Sequence, residues 1–114
     1  MSFELIWQTG ARQTFDRMMI DAEAALKRRQ GKGKSSKAAG LFKQVYKCIE
    51  LLAANPRHPG LHTHEFHSLP HPYDKKKKVF EAYAQNRTSS AYRVFWCYGP
   101  QADKITVIAI TPHP

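Results

Sequence analysis

The chain changes its hydrophobic period at Asn55-Pro56, and that break limits the folds open to it. Before it, Phe15, Met18, Met19, Ala22, Ala25 and Leu26 recur at three- and four-residue spacing, which marks one face of a helix fraying into a basic segment near residue 30. Leu41, Phe42, Val45, Cys48, Ile49 and Leu52 mark a second helix. Ser35 or Ser36 suits its cap, and Pro56 ends it by disfavouring helical geometry in Asn55. After the break come LHTHEFHSL, KVFEAYAQ, AYRVFWCY and KITVIAIT, short runs rich in aromatic or β-branched residues and separated by Pro, Gly, Asp and Ser. With FELIWQT (residues 3–9) as a first strand, the order is β-α-α-β-β-β-β. Such an order predicts one α+β domain over residues 1–114, with two helices on one face of a mostly antiparallel sheet and the other face partly open.

Side chains alternate across a strand, so position parity sorts residues onto the two faces. Tyr92, Val94, Trp96 and Tyr98 fall on one face, with Phe80 and Ala82 of the preceding strand and Ile108 and Ile110 of the last. This set is bulky enough to meet the helices. Glu81, Tyr83, Arg93, Phe95, Cys97, Thr111 and, if extended geometry persists past Pro112, His113 fall on the other face. An arginine in the middle of an apolar strand must be compensated by a carboxylate, by water or by a phosphate. Glu81 suits the first role as a structural ion pair, and a planar guanidinium fork also suits a phosphate clamp.

Charge narrows the partners. Lys+Arg number 18 against 9 Asp+Glu, a net charge of +9, and the excess is clustered. Residues 27–37 hold six basic side chains, and Lys75, Lys76, Lys77 and Lys78 add four. One such run is ordinary for a solvated face, but two on a small chain point toward nucleic acid. Cys48 and Cys97 both sit in apolar runs, as small buried hydrophobes do. The start, MSFELIWQTG, has no basic n-region or cleavage site, and no stretch approaches the roughly 18 apolar residues of a membrane span. A cytoplasmic location without membrane contact is expected.

Residues 62–71, HTHEFHSLPH, hold His62, His64, His67 and His71, with His58 just ahead. Metal ligation, acid-base chemistry and a merely histidine-rich loop all compete for this stretch. His62 and His64 share a strand face, whereas His67 lies opposite unless a bulge intervenes, and no cysteine pair or HExxH spacing is present. Neither a metal nor a small-molecule cofactor is therefore expected.

The short first strand, the helical hairpin ending in NPRHPGLH, the paired strands VFEAYAQNR and SAYRVFWCYGP, and the terminal ITVIAITPHP together resemble the RelE/ParE superfamily of toxin-antitoxin toxins. The resemblance covers residues 40–114 in sequence and the first 40 by topology. It implies one of three functions: a ribosome-dependent mRNA endonuclease working without metal, a non-enzymatic inhibitor of DNA gyrase, or a relative that keeps only a binding role. Residue by residue, Arg93 in AYRVFW matches the arginine that stabilises the scissile phosphate, and His113 matches a C-terminal acid. The position of the base falls near His64 or His67. Lysines found in other branches on the VFEAYAQ strand give way here to Glu81. The resemblance also implies attack by an RNA 2′-hydroxyl on the adjacent phosphate, with Arg87 assisting Arg93 and Tyr83 stacking on a base or fixing the phosphate. Lys75–Lys78 and residues 27–37 would then meet ribosomal RNA and mRNA, and a cognate antitoxin protein would be the partner.

Overall fold

A computed structural model describes residues 2–29, 37–86 and 90–112. The element order is β1 (Glu4–Trp7), α1 (Thr9–Arg29), α2 (Lys37–Ala54), a 3-10 turn (Pro59–Leu61), β2 (His64–Phe66), β3 (Val79–Tyr83), β4 (Tyr92–Tyr98) and β5 (Lys104–Pro112). The strands form one sheet in the order β1-β5-β4-β3-β2. β1 runs parallel to β5, and every other pairing is antiparallel. This is the expected α+β arrangement.

Both helices lay their apolar stripes on one face of the sheet. Phe15 and Met18 of α1 and Val45, Cys48, Ile49 and Leu52 of α2 meet Ala82, Val94, Trp96, Ile105, Val107 and Ile110. Burying a side chain of this size stabilises by about 1.5–3 kcal/mol, so the helix face supplies most of the cohesion. Ring contacts of 5.0 Å between Trp7 and Phe15 and 5.3 Å between Phe15 and Phe42 tie the hairpin to the first strand.

Several expectations shift. The first strand stops at Trp7 because α1 already starts at Thr9. The run from 61 to 69 keeps only three strand residues, since Leu61 ends the 3-10 turn and His62 adopts a left-handed backbone at φ 47°. Ser35 and Ser36 lie outside the described residues. Leu26 is half exposed rather than in the core. Ile108 also leaves the core face: Phe95 pairs with Ala109 and Trp96 with Val107, so Ile108 is the extra residue of a β-bulge. Beyond that bulge the parity of β5 inverts, and Ile105 and Val107 take the buried positions expected of Ile108.

The second face is also less open than expected, because the segment between β2 and β3 folds over it. Phe66, the last residue of β2, packs on Phe95 at 4.6 Å, and in the segment that follows the Tyr73 hydroxyl lies 2.8 Å from Thr106 Oγ1. Phe95, Cys97 and Thr106 are consequently buried. Gly99 holds the β4–β5 turn at φ 115°, a backbone conformation that disfavours any residue with a Cβ.

Candidate functional site

Strand register brings four chemically active side chains together on the second face. His64 stands opposite Glu81, and Tyr83 stands opposite Arg93, so β2, β3 and β4 each contribute. The Arg93 guanidinium carbon lies 3.6 Å from the centre of the Tyr83 ring. Its Nη1 donates to the carbonyl oxygens of Gln85 at 2.8 Å and Tyr92 at 3.3 Å. Its Nε lies 3.9 Å from Glu81 Oε2, an ion pair beyond hydrogen-bond reach. The other carboxylate oxygen of Glu81 pairs with His64 Nε2, and His64 Nδ1 lies 3.2 Å from the carbonyl oxygen of His62.

Burial divides these groups into a floor and a mouth. The Glu81 and Arg93 side chains are 1% and 9% exposed, whereas His64 is 48% exposed. A buried carboxylate without partners would cost several kcal/mol, and a partner on each of its oxygens offsets that cost. Of the three compensations open to an arginine in an apolar strand, carboxylate, water or phosphate, the structure shows the carboxylate. Arg93 Nε nevertheless has no hydrogen-bond partner among the described residues. Each ring nitrogen of His64 lies against an oxygen, and the neutral ring has one N–H, so it donates to one of the two at a time.

The remaining histidines go to separate tasks. His58 Nδ1 accepts from Gly60 N at 2.9 Å and caps the 3-10 turn. The His62 ring packs against Tyr83 at 5.5 Å. His67 is exposed and pairs with Glu65 at 3.3 Å, while Lys78 reaches the same carboxylate at 3.5 Å. The structure thus brings His64 to Arg93 and leaves His67 with a different partner. His71 is buried: its Nδ1 accepts from the backbone of Tyr73 and Asp74, and its Nε2 donates to the carbonyl oxygen of Tyr98. That histidine fastens the segment over the second face. Among the described residues no three His, Cys, Asp or Glu side chains are grouped to hold a metal ion.

Lys75, Lys76, Lys77 and Lys78 line a cleft of about 520 Å³ together with His67 and His71. Of the other basic segment, Lys27, Arg28 and Lys37 are exposed, and residues 30–36 lie outside the described residues. Arg87 and His113, both sequence candidates, also lie outside them. Sequence reasoning missed the part of His62, whose shared parity with His64 was the available signal. It also missed Gln85, which holds Arg93 through a main-chain oxygen that no side-chain pattern reveals. Burial pushes the thiols of Cys48 and Cys97 up to about 12 and about 11, so neither is a nucleophile near neutral pH. No described helix is long and apolar enough to cross a membrane.

No protein-family model and no curated protein sequence matches the chain. Solved structures do. A YoeB/ParE toxin from Agrobacterium tumefaciens matches with a TM-score of 0.57 at 11% identity, covering 97% of this chain and 99% of that one. The archaeal RelE-RelB complex from Pyrococcus horikoshii OT3 matches with a TM-score of 0.56 at 12% identity, over 98% of this chain and 96% of that one. A YoeB dimer from Staphylococcus aureus matches with a TM-score of 0.56 at 8% identity, over 100% of both chains. The chain has the RelE/ParE toxin fold along essentially its whole length.

Proposed function

We propose that this chain is the toxin of a toxin-antitoxin pair and cuts mRNA on the ribosome by metal-free attack of the 2′-hydroxyl. The observation that carries the reading is the buried Glu81 carboxylate joined to Arg93 on one side and to the half-exposed His64 on the other. A scaffold that only docks on another protein has no need of such a proton-handling mouth above a charged floor.

In this mechanism His64 accepts the proton of the 2′-hydroxyl as the 2′-oxygen bonds to phosphorus. The bond from phosphorus to the 5′-oxygen breaks, a 2′,3′-cyclic phosphate remains, and His113 protonates the departing 5′-oxygen. Glu81 holds the ring of His64 through Nε2, so the imidazolium formed on proton uptake already has a counter-charge, as a buried carboxylate serves a catalytic histidine elsewhere. Arg93, assisted by Arg87, supplies positive charge to the phosphate. The proximity of His64 to Arg93 favours it over His67 as the base. Lys75–Lys78 serve the sequence-independent contact with ribosomal RNA. The archaeal RelE was crystallised with RelB, and an acidic antitoxin with apolar anchors is the partner proposed here.

A second reading rests on the burial of Arg93. With the Arg93 side chain 9% exposed and its guanidinium already engaged, the same scaffold suits action without chemistry, as a gyrase inhibitor. Induced expression with separate readouts of translation and DNA replication distinguishes the two. The endonuclease arrests translation first and shortens mRNA, and His64→Ala relieves the arrest. Replication arrest with intact mRNA would transfer the function to gyrase.

A further inference from the structure

The helix face of the sheet carries a second cavity, away from Glu81 and Arg93. About 440 Å³ in volume, it lies between the loop around Pro56–Thr63 and the rings of Phe80, Trp96 and Tyr98. Phe80 and Trp96 stack at 4.9 Å and 29°, and Tyr98 stands edge-on to Trp96 at 5.0 Å and 79°. A volume of this size is within the range of small-ligand sites. Two of its lining residues carry buried donors with no hydrogen-bond partner among the described residues, Trp96 Nε1 and Thr63 Oγ1. Buried polar groups are nearly always paired, so two orphans on residues that line one aromatic cavity point to a polar ligand.

The surrounding charge says which kind. Arg57 and His62 stand at the cavity, and no carboxylate lines it among the described residues. A neighbouring cavity of about 310 Å³ shares Phe80 and Tyr98 and adds Lys77 and Lys78, again without a carboxylate. Trp96 is itself buried beneath Phe80, so the half-buried rings of Phe80 and Tyr98 are the surface within reach, and between cationic flanks they match a flat, hydrogen-bonding ring attached to phosphates. Tyr83 cannot serve equally well as the stacking platform, because Arg93 already covers one face of its ring and His62 and His64 lie against it. His62 lines the cavity and touches Tyr83, so it connects the aromatic floor to the proposed cleavage cluster around the β2 edge.

We infer that the Phe80–Trp96–Tyr98 cavity is a nucleobase subsite, which takes one unstacked base of the RNA while Lys77 and Lys78 hold its backbone. The inference rests on the RNA reading above and adds where the strand is gripped outside the reacting phosphate. Hydrogen bonds from Thr63 and Trp96 would give the subsite a preference among bases, which stacking alone does not.

The test uses a 2′-O-methyl hexaribonucleotide, which cannot undergo 2′-hydroxyl attack, and a matching oligomer of abasic ribose phosphates. Binding is read by fluorescence anisotropy and by the two indole N–H resonances of the protein. The hexamer should shift the Trp96 resonance and leave that of Trp7 in place. Phe80→Leu and Tyr98→Leu keep apolar volume while removing the rings, and each should weaken hexamer binding about tenfold or more while barely changing the abasic oligomer. Thr63→Val, which leaves the aromatic packing intact, should flatten the preference among homopolymeric hexamers. Hexamer binding that leaves the Trp96 resonance unmoved, or that the folded variants do not weaken, overturns the subsite and leaves the RNA reading standing. Failure of both oligomers to bind overturns the two together.

Discussion

On the helix face, Val45, Leu52, Val94, Val107 and Ile110 exclude water by packing alone, whereas the second face buries Glu81, Arg93, His71 and Thr106 beside Phe95 and Cys97. Apolar packing is redundant, because each side chain touches many others and any one is a fraction of the whole. A buried polar network is not. Glu81 depends on His64 and Arg93, Arg93 on two carbonyl oxygens, and Thr106 on Tyr73 and Gly99. Cohesion therefore resides mainly on one face, and the proposed chemistry on the other.

Substitutions on each face separate these properties, and the largest difference is expected between Arg93→Ala and Leu52→Ala. Arg93→Ala leaves the Glu81 carboxylate with one cation fewer, at a cost of about 3 kcal/mol, and lowers cleavage about 100-fold or more per folded molecule. Arg93→Lys recovers little, since the fork is lost. Leu52, fully buried, should cost about 2–5 kcal/mol as alanine while the rate per folded molecule stays unchanged. Urea unfolding combined with cleavage rates checks both. Equal rate losses in the two variants would show that the faces are not separable.

The smaller effect concerns the thiols, one on each face. With Cys48 raised to about 12 and Cys97 to about 11, the folded chain keeps both protons at pH 8 and should resist a thiol reagent until it unfolds. In the unfolded chain each thiol returns to about 9.0. Their contribution to stability is therefore fully present below about pH 9 and is lost as pH rises toward 11 and 12, because the unfolded state ionises first. Reagent kinetics on Cys48→Ala and Cys97→Ala single variants report the opening of each face. Rapid labelling of Cys97 alone would show that the second face breathes independently of the core.

The two faces also differ in how far the sequence reveals them. The helix face was legible because its stripes repeat: periodicity located both helices, and parity placed Phe80, Ala82, Val94, Trp96 and Ile110 correctly. It failed at Ile108, since a bulge adds one residue without leaving a mark on the alternation. On the second face, parity put Glu81, Tyr83 and Arg93 together as the structure has them. It could not show that the segment carrying His71 and Tyr73 returns over Phe95 and Cys97, because that cover depends on hydrogen bonds to Tyr98 and Thr106 far along the chain. Nor could a cluster of histidines reveal that one would be a cap, one a buried fastening and one the mouth of a charged floor.

Breakage of RNA by 2′-hydroxyl attack at the His64–Glu81–Arg93 cluster is the proposed chemistry. Its most direct test is the chemistry of the ends formed when purified protein is added to mRNA on ribosomes in the presence of chelator. Upstream fragments should end in 2′,3′-cyclic phosphate and downstream fragments should carry a free 5′-hydroxyl, both abolished by Arg93→Ala in folded protein. Uncut mRNA, or cuts that persist in that variant, would contradict it.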